Sequence, residues 1–252
     1  MNNNNYLPGK ASTLSNPIVM KTQVNKHSHE SGRLKPLSLV LADAFKEDPV
    51  MSSIFRNQRE IEHFMLFMLK YFEKVGEIHY TTEGHGVALW LRPGVSFLSL
   101  KNLFSHGITR EILQLVFSVS PGSLRRLFQV SDYLSSSKPA TDHYYLFVIG
   151  ISRQAKGQGI GKRLMQYAIE RFGHEHQYYL ENTNVINNSF YQKFGFRLNS
   201  KGEYRGRTFY FMAKPKQFGP SYLNIYGSEK TPATSASCFT GVHPKRETEP
   251  VF

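Results

Sequence analysis

The chain has one cysteine in 252 residues, Cys238, so it cannot close an intramolecular disulfide or build a cysteine-based zinc cluster. It has no long uncharged apolar run, and with a mean hydropathy of -0.39 no α-helical membrane span is expected. The opening MNNNNYLPGK lacks a positive stretch followed by an apolar one, so no secretory signal is visible and a cytoplasmic location is expected. Internal repeats and sustained heptads are missing. No G-x-S-x-G elbow occurs, which disfavours hydrolase chemistry. His174-Glu175-His176 lacks the H-E-x-x-H spacing that puts two imidazoles on one helix face, and no metal is expected.

Apolar residues make up 40% of the chain and aromatics 13%, enough to bury a large core and too many for wholesale disorder. The net charge of +12 points to a polyanionic partner. Its distribution narrows the choice. The densest cluster, Arg153, Lys156, Lys162 and Arg163, holds four cations and no acid within 11 residues and coincides with the most glycine-rich turn. A compact phosphate site fits this better than a nucleic-acid track, and neither nucleic acid nor a membrane is expected as a partner.

Residues 1–35 and 215–252 lack periodicity and read as flexible tails around one domain at 36–214. Leu37, Val40, Leu41, Ala44 and Phe45 predict an amphipathic helix ending at Asp48-Pro49, and Ile61 to Phe72 a second ending near Gly76. Residues 78–82 and 86–91 read as a strand hairpin around Glu83-Gly84-His85, and residues 97–134 as a helical insertion. Strands are then predicted at 144–151, 178–182 and 208–213, with helices at 160–172 and 187–194 between them. This order describes a mixed α/β or α+β domain with at least one parallel strand pair.

The sharpest feature is the strand YYLFVIGI, Tyr144 to Ile151, followed by SRQAKGQGIGKRL. There Gln154, Gly157, Gly159 and Gly161 lead straight into a helix. The first N–H groups of a helix lack intrahelical acceptors, its dipole is positive there, and glycines let the backbone approach closely, so this turn is an anion site. The dinucleotide pattern G-x-G-x-x-G fails because the spacing is G-x-G-x-G, and the P-loop pattern fails because Arg163 follows Lys162.

What remains, Gln154-x-x-Gly157-x-Gly159 after a strand, resembles the GNAT superfamily of acyl-CoA-dependent N-acyltransferases. A second motif in YYLENTNVINNSFYQKFGF agrees, with Asn184, Tyr191, Gly195 and Phe196 in the family's register. Together with ADAFKEDPV and VALWLRPG upstream, the resemblance extends over roughly residues 36–214. It implies a mostly antiparallel mixed sheet with a central, splayed parallel pair, flanked by helices. It also implies acetyl-CoA as co-substrate, with the backbone of Phe147, Ile149 and Ile151 holding pantetheine. The pyrophosphate would lie on Gln154, Lys156, Gly157, Gly159, Ile160, Gly161 and Lys162, with Asn184 nearby. Tyr191 stands where similar enzymes place the general acid; a core tyrosine packing its ring is the competing reading. The family supplies no fixed base. Glu181, at the end of its strand, is the best-placed carboxylate, although it could instead bind a cationic substrate or face solvent. The implied reaction is direct acetyl transfer, in a ternary complex, to a primary amine. The alternatives are acylation of a protein N-terminus or lysine, and an inactive CoA-binding regulator. The acceptor itself, a small molecule or a peptide, cannot be read from these residues.

Overall fold

The computed structural model describes residues 20–23, 32–95, 97 and 107–217. Leu98, Leu103 and Phe104 of the predicted insertion, and everything after residue 217, lie outside them. Seven strands form one sheet: β1 (Met20–Gln23), β2 (Gly76–Thr81), β3 (Gly86–Leu91), β4 (Tyr144–Ile151), β5 (Tyr178–Asn182), β6 (Arg197–Tyr204) and β7 (Arg207–Lys214), in the order β1-β2-β3-β4-β5-β7-β6. All pairs are antiparallel except β4 with β5, so the fold is the expected mixed α/β one with a central parallel pair. Strand β1 lies inside the stretch read as an N-terminal tail and pairs with β2, Met20 facing Thr81.

The sheet is covered on both sides, which explains why β3 and β4 carry no charged residue. Along β3, Val87, Leu89 and Leu91 join the core beneath α1 (Leu34–Ala44) and α3 (Gln58–Val75), whereas Ala88 and Trp90 join the core beneath α6 (Ile160–Phe172). The short helix α2 (Pro49–Ile54) was not anticipated, because Asp48-Pro49 reads as the end of the preceding helix. It is the start of a new one: Asp48 accepts the N–H groups of Val50 and Met51, each at 2.9 Å, and Pro49 occupies the first helical turn.

The insertion contains α4 (Thr109–Ser118) and α5 (Pro121–Ser136). Helix α5 is fixed by a buried carboxylate. Glu60, in the first turn of α3, accepts hydrogen bonds from the N–H groups of Arg56 and Ser120 at 2.9 Å and from the Ser123 hydroxyl at 2.7 Å. Arg126 adds a 2.8 Å bond from Nε to the Ile54 carbonyl, tying α5 to α2. These two helices are thereby held as walls over the sheet. Helix α7 (Val185–Gln192) follows β5, and the hairpin β6–β7 turns through Arg205 and Gly206, whose φ angles of 52° and 71° suit a tight two-residue turn.

Candidate active site

Two irregularities in β4 create the site. Against β3, Leu89 faces Val148 but Trp90 faces Leu146, which leaves Phe147 as an extra, bulged residue. Against β5, the parallel ladder covers only Tyr144 with Tyr178, Tyr145 with Tyr179 and Leu146 with Leu180. Beyond that point β4 continues to Ile151, while Glu181 and Asn182 pair only with Phe211 and Tyr210 of β7. The strands diverge, and the backbone of β4 from Phe147 to Ile151 is left without a strand partner on that side.

A groove of about 1550 Å³ lies along the open edge. Ile149, Gly150 and Ile151 form one wall, and the turn leading into α6 forms its end. Gly157 and Gly159 take φ angles of 80° and 73°, the left-handed region, and a Cβ on either would point into space free of any atom within 4 Å. The first intrahelical bond runs from Arg163 N–H to the Gly159 carbonyl, so the N–H groups of Ile160, Gly161 and Lys162 have no intrahelical acceptor. Lys156, Lys162 and Lys193 add positive charge to the lining. This end of the groove can hold an anion.

Arg153, the first cation of the cluster seen in the sequence, is engaged elsewhere. Its guanidinium pairs with Asp43 at 3.3 Å and Glu47 at 3.0 Å, which ties the turn to the end of α1. Gln154 lines neither the groove nor the cavity described next; its carbonyl accepts a 3.4 Å bond from the Gln158 side chain. Asn184 lies where the two spaces meet, and its side chain caps α7 by accepting the Ile186 N–H at 3.0 Å.

A cavity of about 210 Å³ opens from the groove on the other side of the splay, and Phe45, Asp48, Ile149, Thr183, Asn184 and Asn187 line both. Its walls come from α2, α3, α5, β4 and β5, and it contains both residues expected to be catalytic. Glu181 is enclosed, and its Oε1 has no hydrogen-bond partner among the described residues. Burial raises its carboxyl to about 7, against the opposing effects of the Lys138 charge and of the neighbouring Tyr145 and Tyr179 hydroxyls. Lys138 also lines the cavity, with Nζ 3.8 Å from the centre of the Tyr145 ring. Its own pKa is lowered by burial and partly restored by Glu181. The sequence offered no signal for this lysine, which follows a serine-rich loop. Tyr191 is buried, its ring 5.2 Å from Phe190 and 6.1 Å from Phe196, and burial raises its hydroxyl above the ordinary phenol range. The site therefore brings the Glu181 carboxyl and the Tyr191 hydroxyl, both with pKa values raised by burial, to the cavity that opens from the groove.

Residues 125–196, which contain both sequence motifs, match the family model of the acetyltransferase (GNAT) family. Over this stretch the chain resembles the GNAT acetyltransferases. The GNAT-like architecture extends further in space. The fold is similar to histone acetyltransferase HPA2 and related acetyltransferase from Corynebacterium glutamicum, at 21% identity and a TM-score of 0.56, over 75% of this chain and 94% of that one. It is also similar to arylalkylamine N-acetyltransferase 2 from Aedes aegypti, at 13% identity and a TM-score of 0.52, over 79% of this chain and 99% of that one. At these identities the likeness is one of fold. No curated protein matches the sequence.

Proposed function

We propose that this protein is an N-acetyltransferase that moves an acetyl group from acetyl-CoA to a primary amine by direct attack in a ternary complex. The observation that carries the reading is the splay itself: it leaves strand-edge backbone on β4 and brings the glycine turn, the Glu181 carboxyl and the Tyr191 hydroxyl to adjoining spaces. Acetyl-CoA supplies an activated thioester and an anionic pyrophosphate handle. The groove suits it, since the N–H groups of Ile160, Gly161 and Lys162 can take the pyrophosphate and the free edge from Phe147 to Ile151 can hydrogen-bond an extended amide chain as another strand would. Asn184 contributes by capping the start of α7 at the junction.

In this account Glu181 takes the proton that the amine must lose to become nucleophilic, and Tyr191 gives one to the departing thiolate. The bulge at Phe147 frees backbone N–H capacity for the thioester oxygen as charge develops there. Cys238 has no part in it, because the amine attacks the thioester directly.

The test is release of free CoA thiol from acetyl-CoA against small and peptidic amines. Turnover with at least one amine, and none with alcohols or water alone, is expected. Binding of acetyl-CoA without turnover on any amine would favour a CoA-binding regulator.

A further inference from the structure

The cavity restricts what the amine can be attached to. At about 210 Å³ it is larger than the ~150 Å³ cavity that takes benzene and smaller than the ~300–1,000 Å³ sites of drug-sized ligands. Ile54, Met65, Leu127, Val130, Phe147 and Val148 line its body. Three lining side chains carry charge: Asp48, Lys138 and Glu181. Asp48 is committed to the first turn of α2. Lys138 and Glu181 influence one another electrostatically. Glu181 Oε1, buried and without a partner among the described residues, is an acceptor that an N–H group would satisfy. Ser135 is exposed and also lines the cavity, so the space reaches solvent beside α5 as well as the groove.

We propose that the acceptor is a primary amine on a compact apolar body of about one ring, which fills this cavity with its nitrogen toward Glu181. The proposal rests on the acyl-transfer reading above. A polyamine fits poorly, because its second ammonium would be buried in a cavity that the Lys138 ammonium already lines. A peptide backbone fits poorly too, since the side chains that form the cavity's body, Ile54, Met65, Leu127, Val130, Phe147 and Val148, give its N–H and C=O groups no partners. A ring matches both volume and lining, and the amine supplies the donors that the strand end lacks.

The experiment compares kcat/KM for 2-phenylethylamine, methylamine, spermidine and an N-terminally blocked lysine tripeptide with acetyl-CoA, and for methylamine with hexanoyl-CoA. Each is measured in the wild type, Val130→Trp and the milder Val130→Leu, with acetyl-CoA affinity reporting that each variant is folded. 2-Phenylethylamine is expected to exceed methylamine by about 100-fold or more, as burial of a ring predicts. Filling the cavity should cut that ratio at least about tenfold in Val130→Trp and by less in Val130→Leu. Preference for spermidine or the tripeptide, or a ratio unchanged in a folded Val130→Trp, overturns this acceptor class while leaving N-acetyl transfer intact. Faster reaction of methylamine with hexanoyl-CoA than with acetyl-CoA assigns the cavity to the donor chain and overturns it as well. Acetyl-CoA binding with no amine acetylated overturns both this proposal and the reading beneath it.

Discussion

Leu146 and Leu180 are the last facing pair in the parallel ladder between β4 and β5. One residue further along β5 stands Glu181, and one further along β4 is the bulged Phe147. The Glu181 carboxyl and the freed backbone therefore both arise where the ladder ends. A carboxylate one position earlier would lie within the paired ladder; one placed here faces a cavity.

Glu181 should leave its mark on pH dependence. Its carboxyl is raised to about 7 by burial, so the rate should climb through an apparent pKa near 7 and level off above it, and Glu181→Gln should abolish that limb. The effect on stability has the opposite sense. A carboxyl with a raised folded pKa contributes stability below its unfolded value near 4.5 and loses it as pH rises through about 7. Glu181→Gln should therefore raise the melting temperature at pH 8 relative to wild type, with little gain at pH 5.

Glu60 behaves in the reverse manner. Burial pushes its pKa up, but hydrogen bonds from Arg56, Ser120 and Ser123 outweigh this and bring it from 4.5 to about 2. Its contribution is complete above about 4.5 and lost as pH falls toward 2. Glu60→Gln should cost about 2 kcal/mol near neutral pH, where donors held by the carboxylate lose their partner. Thermal melts of the two proteins should converge as pH approaches 2.

Gly159→Val separates cradle from fold. Gly159 and Gly206 share a left-handed backbone, with φ of 73° and 71°, and a Cβ at either meets nothing within 4 Å. Both substitutions should therefore cost a similar amount of stability, about 1–2 kcal/mol. Only Gly159 lines the groove, so Gly159→Val alone should weaken acetyl-CoA binding by tenfold or more in calorimetry.

Tyr191→Phe keeps the buried ring and removes its proton. If Tyr191 protonates the leaving thiolate, turnover should fall about 100-fold with acetyl-CoA affinity within a few-fold. A tyrosine serving only the core would lose about 1 kcal/mol of stability and keep its rate.

The strand–glycine–helix unit was legible because each part has a local cause: an apolar run, a turn needing φ above zero, and a 3.6-residue stripe. The bounds of β4, β5 and α6 agree with the sequence reading to the residue. Strand β6 was not legible, because RLNSKGEY is polar and largely exposed and offers no alternation. Strand β1 is only four residues and is defined by its pairing with β2. Tyr191 could be placed near the splay from its motif position, and Glu181 from its place at the end of its strand. Lys138 could not, since nothing local says that the chain after α5 returns it to the cavity. Gln154 and Asn184 also show the limit of a motif, which marks a position without stating whether the side chain or the backbone does the work.

The most direct test of acetyl transfer at this splay is single-turnover amide formation by wild type and Glu181→Gln, with acetyl-CoA and an amine accepted by the wild type, at pH 8. The account predicts that the wild type forms the amide while Glu181→Gln does so about 100-fold more slowly or worse, with acetyl-CoA affinity within a few-fold of wild type. Equal rates in the two proteins would contradict it.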